Sequence, residues 1–353
     1  EILVYPVKNL KELILHLNGE IFLQPQPHQE FIASENFKSQ YVFENIRGQH
    51  MAKRACEIAA AGFHNILLKG PPGTGKTLLS RALPSILPPL EKDEILELTK
   101  IYSIAGLLKE NYINYRPFRA PHHTTSRIGL VGGGTNPAPG EISLAHRGVL
   151  FLDEIAEFPR ATLEALRQPI EDGVITISRA SGTLVFPCRF LLLAASNPCP
   201  CGYLGHPKKP CRCMPGAILK YKKRLSGPLL DRIDLHVDVA PVEKDELVEE
   251  AVSESSKSIR ERVIKARQIQ KERFKGLRIY TNGEMGPSEV KKFCRLDKEA
   301  IDLLKQAITK LSLSARSYFK TIKVAQTIVD LAGKEMIDSS AIAEALQFRS
   351  HDE

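Results

Sequence analysis

Eight consecutive residues limit the possible folds of this chain more than any other feature: Gly70-Pro-Pro-Gly-Thr-Gly-Lys-Thr77. They fit the pattern G-x-x-x-x-G-K-[ST], and they lie between a short apolar run, Asn65 to Lys69, and a helical pattern, Leu78 to Leu83. Glycines in such a loop let backbone N–H groups turn inward around phosphates, and the following helix N-terminus adds its positive end. The sequence therefore predicts a phosphate-binding loop between a strand and a helix.

The side chains of this loop have separate predicted tasks. Lys76 is expected to reach the β- and γ-phosphates of a nucleoside triphosphate, and the hydroxyl of Thr77 is expected to bind Mg²⁺. ATP and Mg²⁺ are therefore the predicted cofactors. The predicted nucleotide-binding residues of the loop are Gly70, Pro71, Pro72, Gly73, Thr74, Gly75, Lys76 and Thr77.

A second apolar run, Val149 to Leu152, ends in two acids, Asp153 and Glu154. Taken alone, such a run is typical of a strand that reaches solvent. Together with a phosphate-binding loop it predicts the second half of a nucleotide-hydrolysing site. Asp153 is then expected to hold Mg²⁺ through water, and Glu154 to polarise the attacking water.

A third apolar run, Phe190 to Ser196, is followed by Asn197. If this strand neighbours the strand that ends at Asp153, the Asn197 amide lies beside the γ-phosphate. The alternative is that Asn197-Pro198 only begins a turn. In the presence of the other two motifs we favour a γ-phosphate sensor.

Length and composition restrict the class of protein. A chain of 353 residues is too long for one ordinary hydrophobic core, so two domains and a further segment are expected. No run approaches the roughly 18 to 20 apolar residues that cross a bilayer, and no secretion signal precedes the first motif. A cytoplasmic protein is predicted. The net charge of +8 supports a polyanionic partner only weakly.

The hydrophobic pattern predicts an α/β fold with a parallel sheet, followed by a smaller all-helical domain. We place the nucleotide-binding core at residues 42–241 and the helical domain at 242–353. Residues 1–41, which contain a predicted helix from Leu10 to Leu17, are expected to be a leader or linker. The helical patterns of the second domain are Ser255 to Phe274, Lys298 to Leu311 and Ala315 to Leu331.

Four of the seven cysteines lie close together in two C-x-C pairs. In a reducing compartment such a cluster predicts metal binding rather than disulfides. Four thiolates can surround one tetrahedral Zn²⁺ as a structural site without an open position. The one-residue gap is tighter than the usual C-x₂-C, His206 is an alternative fourth ligand, and four reduced cysteines are the alternative interpretation. The predicted zinc ligands are Cys199, Cys201, Cys211 and Cys213.

These motifs resemble the AAA+ superfamily, and within it the magnesium-chelatase-like ATPases of the ComM (YifB) type. The resemblance covers almost the whole chain from about Val42 to Phe348. Besides the phosphate-binding loop, it rests on the segments Arg116 to Ser126 (RPFRAPHHTTS), Gly132-Gly-Gly, Pro139 to His146 (PGEISLAH), Asn197 to Tyr203 (NPCPCGY) and Ser226 to Asp234 (SGPLLDRID).

The resemblance implies a hexameric ring that promotes branch migration of DNA during recombination in natural transformation. Members of this type carry an upstream domain similar to the S5/Lon-protease fold, so this chain is expected to be the motor portion. Related chelatase subunits instead drive Mg²⁺ insertion into a porphyrin, which is the first alternative. An ATPase that remodels proteins is the second.

By the same resemblance, Arg232 matches the arginine finger, which enters the site of a neighbouring subunit and stabilises charge in the transition state. The alternative is a salt bridge from Arg232 to Asp231 or Asp234, and Arg224 is the reserve candidate. Arg316, at the start of a helical pattern, matches the second sensor, which is expected to touch the γ-phosphate. A solvated arginine is its alternative.

Two inserts interrupt the predicted core, Tyr115 to Gly148 and a hairpin-like pattern from Val174 to Phe186 around Ala180-Ser181-Gly182. In similar ATPases such elements project toward the pore of the ring, where basic residues can contact a phosphate backbone without reading its sequence. His122-His123 is not expected to bind a metal, because no nearby thiol or carboxylate completes a site. A solvated face is the alternative for a second basic cluster, which lies outside the two inserts. The basic residues of the first insert are Arg116, Arg119 and Arg127, and those of the second cluster are Lys208, Lys209, Lys220, Lys222, Lys223 and Arg224.

Overall fold

A computed structural model describes residues 2–27, 40–134, 137–179, 182–242 and 253–349, which fall into two compact units. The first unit contains helix α1 (Leu10–Leu17), as the sequence predicts. Asn9 begins this helix, since its side chain accepts a hydrogen bond from the backbone N–H of Glu12 at 2.9 Å. None of the α1 residues is buried within its own unit.

The second unit, residues 40–349 of the described chain, contains the strands. They are β1 (Ile66–Lys69), β2 (Phe118–Arg119), β3 (Gly132–Gly133), β4 (Ala138–Pro139), β5 (Val149–Leu152), β6 (Val174–Arg179), β7 (Gly182–Pro187), β8 (Leu191–Ser196) and β9 (Leu235–Asp238). Five of them form one parallel sheet in the order β2-β5-β8-β1-β9. The predicted parallel sheet is therefore confirmed.

The central strands are short and apolar because both of their faces are covered. Every residue of β5 and β8 is buried. Continuous apolar runs of this kind are expected where helices pack on both sides of a parallel sheet. The register pairs Leu152 of β5 with Ala194 of β8, and Lys69 of β1 with Ser196 of β8. The carboxyl ends of these three strands therefore meet at one edge of the sheet.

Helices lie before and between the strands of this part of the chain. They are α2 (His50–Gly62), α3 (Lys76–Ala82), α4 (Lys92–Ile104), α5 (Arg127–Val131), α6 (Glu141–Leu144), α7 (Arg160–Glu164), α8 (Arg167–Asp172), α9 (Pro215–Lys222) and α10 (Gly227–Leu230). Single 3₁₀ turns lie at Phe43–Asn45, Leu83–Ile86 and Ile155–Glu157.

Two antiparallel pairs lie outside the main sheet, at the inserts that the sequence predicts. β3 pairs with β4, and β6 pairs with β7 over six residues, from Val174↔Pro187 to Arg179↔Gly182. The hairpin is therefore confirmed. Two residues of its predicted turn, Ala180 and Ser181, lie outside the described residues.

The C-terminal part is helical, as predicted. Its helices are α11 (Ser256–Arg273), α12 (Pro287–Phe293), α13 (Lys298–Leu311), α14 (Ala315–Leu331) and α15 (Ser339–Gln347), with a 3₁₀ turn at Asn282–Glu284. Four of the helices begin at a residue whose side chain accepts a backbone N–H three residues later: Ser255, Asp297, Ser314 and Asp338. Residues 243–252, which follow the predicted domain boundary, lie outside the described residues.

The helical part and the sheet share one hydrophobic core through α2. One cluster of buried side chains includes Ala59 of α2, Leu68 of β1, Val263 of α11 and Ile322 of α14. Hydrogen bonds reinforce this contact, because the fully buried Gln270 donates to the Ala61 carbonyl at 3.1 Å. No helix within the described part of the chain is long and apolar enough to cross a lipid bilayer.

Candidate functional site: a phosphate-binding loop, a cysteine cluster and an arginine pair

Three neighbouring strands bring the predicted nucleotide-site residues to one edge of the sheet. β1 leads into the phosphate-binding loop, β5 ends before Asp153, and β8 ends before Asn197. Together they line a pocket of about 400 Å³, whose wall is formed by Pro72 to Leu78, Asp153, Glu154 and Ala195 to Asn197. The condition set for Asn197, that its strand neighbours β5, is met.

Glycines allow the backbone of the loop to turn. Gly73 and Gly75 have φ angles of 81° and 88°, which side chains with a Cβ atom rarely adopt. Gly75 is also the N-cap of α3, so the amides of the first turn of that helix face the pocket. A Cβ atom on Gly70 would lie 2.2 Å from the Val239 carbonyl oxygen, so this position has no room for a side chain.

Lys76 lies inside the loop and is only 8% exposed. Its ammonium group donates to the carbonyl oxygens of Gly70 at 2.6 Å and Pro71 at 2.8 Å, and to Asn197 Oδ1 at 3.3 Å. Burial lowers the pKa of Lys76, while the charges of Asp153 and Glu154 act in the opposite direction. The lysine is thus positioned in the pocket by the loop and by the end of β8.

Oxygen ligands suited to Mg²⁺ lie beside the lysine. The hydroxyl of Thr77 donates to Asp153 Oδ2 at 3.0 Å. These two side chains, which both line the pocket, are therefore in direct contact. The next residue, Glu154, has a φ of 49°, and its backbone N–H donates to Asp153 Oδ1 at 3.0 Å. A hard cation with oxygen ligands fits this pair.

The four predicted zinc ligands come together. Their sulfur atoms all lie within 4.8 Å of one another. The Sγ–Sγ distances are 3.5 Å for Cys199–Cys201, 3.7 Å for Cys199–Cys211 and 3.6 Å for Cys201–Cys211. Tetrahedral zinc with bonds of about 2.3 Å requires sulfur atoms about 3.8 Å apart, so the cluster has the required size.

Backbone groups support this cluster. The N–H of Cys201 donates to Cys213 Sγ and the N–H of Cys213 donates to Cys211 Sγ, both at 3.4 Å. Backbone hydrogen bonds at Tyr203 and Arg212 lower the pKa of Cys201 to about 6, which favours the thiolate at this position. At Cys211 and Cys213 the hydrogen bonds with neighbouring thiols outweigh those from the backbone and raise the pKa, so the metal-free cluster ionises first at Cys201. His206, the alternative ligand, is not part of this group of four, and its Nδ1 accepts the backbone N–H groups of Lys208 and Lys209 at 3.0 and 3.1 Å.

The cysteine cluster also touches the nucleotide pocket. Gly202, inside the first turn of the cysteine loop, has a φ of 81°. A Cβ atom placed on it would lie 2.6 Å from Pro72 Cδ and 3.9 Å from Asn197 Cγ. The loop held by the cysteines therefore packs directly against the phosphate-binding loop.

The two predicted arginines meet on one carboxylate, Glu171 at the end of α8. Arg232 Nη2 lies 2.7 Å from Glu171 Oε2, and Arg316 donates to Glu171 Oε1. Partial burial favours the protonated form of Glu171, but the hydrogen bonds from the arginines outweigh it and lower its pKa. Arg232 therefore pairs with Glu171 rather than with Asp231 or Asp234, the partners considered in the sequence.

This arginine pair lies apart from the nucleotide pocket of its own chain. Arg232, Arg316 and Glu171 line a separate cavity of about 770 Å³. It lies between the region of α8 to α10 and the C-terminal helices. None of the residues lining that cavity lines the phosphate pocket. The reserve candidate, Arg224, instead pairs with Glu157 at 2.7 Å.

Some basic residues assigned to the inserts are structural. Arg116 lies 3.0 Å from Glu94 and is 10% exposed, and Arg119 lies 2.6 Å from Glu141. The prediction that these two contact a phosphate backbone is therefore not supported, since internal ion pairs hold them. Among the basic residues considered for phosphate contacts, the exposed ones are Arg127, Lys208, Lys209, Lys220, Lys222, Lys223 and Arg224.

Comparison with known proteins identifies the family. The sequence model described as magnesium chelatase, subunit ChlI matches residues 42–247, and that of the ChlI C-terminal part matches residues 253–349. The competence protein ComM of Haemophilus influenzae is 42% identical over 98% of this chain and 68% of its own length. The chain belongs to the ComM-type, magnesium-chelatase-like family of AAA+ ATPases.

Other relatives extend this comparison. The uncharacterized protein YifB of Salmonella typhimurium is 44% identical over 87% of the chain, which spans 60% of the YifB length. The magnesium-chelatase subunit ChlI of Pyropia yezoensis is 24% identical over 60% of the chain and 61% of its own length. The AAA+ core and the helical lid expected for the ComM-type family agree with the sheet order and with helices α11 to α15.

The sequence did not indicate three residues that complete these sites. Glu171 links the arginines, and Gly202 joins the cysteine loop to the phosphate-binding loop. Gln49 donates to the Thr74 carbonyl at 3.2 Å and to the Ala240 carbonyl at 2.7 Å. Their partners are distant in the chain, so no local sequence pattern indicates these contacts.

Proposed function

We propose that this chain is the motor part of an ATP-dependent ring that acts on DNA and drives branch migration during recombination in natural transformation. The observation that carries the proposal is the identity to ComM, a competence protein, over nearly the whole chain. Three features of the structure support it: a complete nucleotide pocket, an arginine pair outside that pocket, and exposed basic and hairpin surfaces.

In the proposed hydrolytic site Lys76 binds the β- and γ-phosphates, and Thr77 and Asp153 hold Mg²⁺. Bound Mg²⁺ offsets the negative charge of the phosphates. Glu154 orients the attacking water and accepts its proton, while the Asn197 amide contacts the γ-phosphate. Asn197 already lies 3.3 Å from Lys76, so both groups are aligned on the same part of the pocket.

Arg232 and Arg316 act in this proposal on the nucleotide of a neighbouring subunit. The support is their position, because both line a cavity that shares no residue with the phosphate pocket of their own chain. An arginine supplied in trans makes hydrolysis depend on assembly and contributes a rate factor on the order of 10³–10⁵. A closed ring, expected to be a hexamer, provides such a neighbour to every subunit.

The proposed DNA contacts are independent of sequence. The β6–β7 hairpin carries exposed apolar side chains, with Leu184 at 44% and Val185 at 59% exposure. Exposed lysines at 208, 209, 220, 222 and 223 add positive charge on the cysteine loop and α9. Lysines bind a phosphate backbone, and exposed aliphatic side chains can make apolar contacts with bases, in both cases without reading the sequence.

We also propose Zn²⁺ as the metal of the cysteine cluster. Its sulfur spacing fits a tetrahedral ion, and four cysteines leave no position open for a substrate. The metal is therefore assigned a structural task, which is to fix the loop that packs on Pro72 and Asn197. The cytoplasm is the compartment proposed for this reduced site.

The proposal is tested by steady-state ATP hydrolysis with and without single-stranded and forked DNA at two salt concentrations. DNA should stimulate hydrolysis, and the stimulation should decrease at the higher salt concentration because phosphate contacts release counterions. Lys76→Ala and Arg232→Ala should both abolish the stimulation by DNA. In Arg232→Ala the kcat for ATP hydrolysis should be about 10³-fold lower than in the unchanged protein.

A different result would redirect the assignment. If an assembled ring hydrolyses ATP at the same rate with and without DNA, a DNA motor is ruled out. Stimulation by a tetrapyrrole-binding partner would then indicate the chelatase alternative, and stimulation by an unfolded protein would indicate the remodelling alternative.

A further inference from the structure

Glu171 is the point where three separate elements of the structure meet. It lies in the last turn of α8, Arg232 follows α10, and Arg316 lies in the first turn of α14. Each carboxylate oxygen takes one arginine: Oε2 takes Arg232 and Oε1 takes Arg316. An ionised carboxylate has acceptor sites on both oxygens, so it can serve the two guanidinium groups at the same time.

The two guanidinium groups are restrained to different degrees. Arg232 has a second acceptor, the Pro228 carbonyl oxygen, and its side chain is 14% exposed. Arg316 is 44% exposed, and Glu171 is its hydrogen-bond partner among the described residues. Glu171 therefore fixes the orientation of Arg232 and holds Arg316, which would otherwise extend into solvent.

The carboxylate also reduces the repulsion between the cations. Both guanidinium groups contact the same carboxylate, and like charges brought together in this way repel. A negative charge between them offsets this repulsion. Each guanidinium has five N–H donors, so most donors of Arg316 remain free to bind a phosphate group.

We propose that Glu171 is a positioning residue that holds Arg232 and Arg316 side by side, ready to bind the γ-phosphate in a neighbouring subunit. This inference rests on the proposed function, because it assigns a task to Glu171 only if the arginines act in trans. Glu171 lines the cavity that holds the arginines and does not line the phosphate pocket of its own chain. It works by ordering the two side chains before the transition state forms, so that their loss of freedom does not add to the barrier.

The expected effect lies in kcat rather than in nucleotide affinity. Ordering a long side chain at an interface has an entropic cost, so releasing two of them should lower kcat about 10- to 100-fold in Glu171→Ala. KM for ATP should change less than about threefold, because the phosphate pocket of the variant is intact. Glu171→Gln retains one acceptor oxygen and should give an intermediate kcat.

Glu164→Ala is the matched control for these variants. Glu164 lies on the neighbouring helix α7 and forms an ion pair with Arg167, away from both predicted arginines. The Glu164→Ala substitution therefore removes a comparable ion pair from the same region. Its kcat should stay within about twofold of the unchanged protein.

Mixed rings separate positioning from a defect in the variant's own fold or pocket. Glu154→Gln subunits keep Glu171 and both arginines but lack the hydrolytic carboxylate. Glu171→Ala subunits keep that carboxylate. If Glu171 acts across the subunit boundary, a mixture of the two should hydrolyse ATP faster than either variant alone, because some pairs of neighbours then combine both intact halves.

Three results distinguish failure of this inference from failure of the proposed function. If Arg232→Ala is inactive and is rescued by Glu154→Gln subunits, while Glu171→Ala has unchanged kcat, only the inference is overturned. The inference is also overturned if Glu171→Ala has a low kcat and mixing it with Glu154→Gln subunits does not raise the rate of ATP hydrolysis. If Arg232→Ala mixtures show no rescue in assembled rings, the arginines do not act in trans and the proposed function itself fails on that point.

Discussion

At the scale of single residues, the phosphate-binding loop is held from two directions. Lys76 reaches back to the carbonyl oxygens of Gly70 and Pro71 from within the loop, while Gly202 packs against Pro72 from outside it. Gly202 belongs to the cysteine loop and has a φ of 81°. Because it has no side chain, it can adopt this backbone conformation and can also pack closely against Pro72. The position of Pro72 thus depends on a residue outside the nucleotide motif.

The pair Gly202→Ala and Gly205→Ala tests this contact. Both glycines have positive φ, 81° and 76°, so both alanines carry similar backbone strain. Only a Cβ atom at Gly202 meets another residue, Pro72, because nothing lies within 4 Å of the same position at Gly205. Gly202→Ala should raise KM for ATP about three- to tenfold, a change of up to about 1.4 kcal/mol. Equal KM values for the two variants would show that the contact has no effect on nucleotide binding.

His236 on β9 should make stability depend on pH. Burial, with a smaller effect of the charge of Lys320, lowers its pKa to about 4, and among the described residues its Nε2 has no hydrogen-bond partner. In the unfolded chain the pKa is about 6.5. As pH falls from about 6.5 to 4, the unfolded state takes up a proton that the folded state does not, so stability decreases across this window.

Denaturant unfolding of the unchanged protein and of His236→Gln between pH 7.5 and 4.5 measures this effect. The unchanged protein should lose more stability than the variant, with a difference of at most about 1.4 kcal/mol per pH unit. Both proteins should retain some pH dependence, since burial also lowers the pKa of His146. Parallel curves would rule out a contribution from His236.

At the scale of elements, the cysteine loop between β8 and α9 brings four sulfur atoms together. It contains little regular structure between β8 and α9, and its position beside the phosphate-binding loop cannot come from a helix or strand of its own. A bound ion contributes to folding free energy when the ligands are not preassembled in the unfolded chain. The loop should therefore lose its contact with Pro72 when the cluster is broken.

Metal analysis of purified protein tests the cluster. The unchanged chain should contain about one zinc ion, and Cys211→Ser should lose most of it because a tetrahedral site needs all four ligands. Cys294→Ser is the control, since Cys294 is a buried free thiol outside the cluster. Equal zinc in Cys211→Ser and Cys294→Ser would disprove the assignment of these ligands.

The sequence predicted the elements whose information is local. The loop before α3, the acids after β5 and the hairpin β6–β7 were predicted because each motif is contiguous with its strand or helix. It did not predict two strands of the sheet. β2 has only two residues, and β9, Leu-His-Val-Asp, alternates between buried and exposed positions at the sheet edge. Neither gives the continuous apolar run that indicates a buried parallel strand.

Contacts between distant segments account for the rest of what was missed. The pairing of Arg232 and Arg316 on Glu171 joins three segments that are far apart in the chain, and no periodicity encodes it. The same holds for Gly202 and Pro72. The sequence named Arg232 and Arg316 as candidates, whereas only the structure shows the carboxylate that both of them contact.

At the scale of the whole molecule, the sheet and the C-terminal helices are joined through α2. Side chains of α2, β1, α11 and α14 belong to one hydrophobic cluster. Polar groups reinforce the contact, because Arg262 lies 2.6 Å from Glu57 and His64 lies 2.8 Å from the Thr327 hydroxyl. The two parts should therefore unfold together.

Ile322→Ala tests this shared core. Ile322 is 2% exposed on α14, and truncating a buried isoleucine to alanine costs about 2–5 kcal/mol. Ile301→Ala on α13, where the side chain is 40% exposed, should cost less than half as much. Fluorescence and circular dichroism should report one unfolding transition in each protein. Two separate transitions in Ile322→Ala, with the sheet unfolding at its original midpoint, would contradict a shared core.

The shared core has a mechanical consequence. Swinging the C-terminal helices away from the sheet would expose the apolar faces of α2, α11 and α14 to water, which costs about 25 cal/mol for each Å² uncovered. Hinge movement between the two parts of one chain is therefore energetically unfavourable. In a ring of such chains each subunit would turn as a rigid block, and the flexible joints would be the seams where one block meets the next.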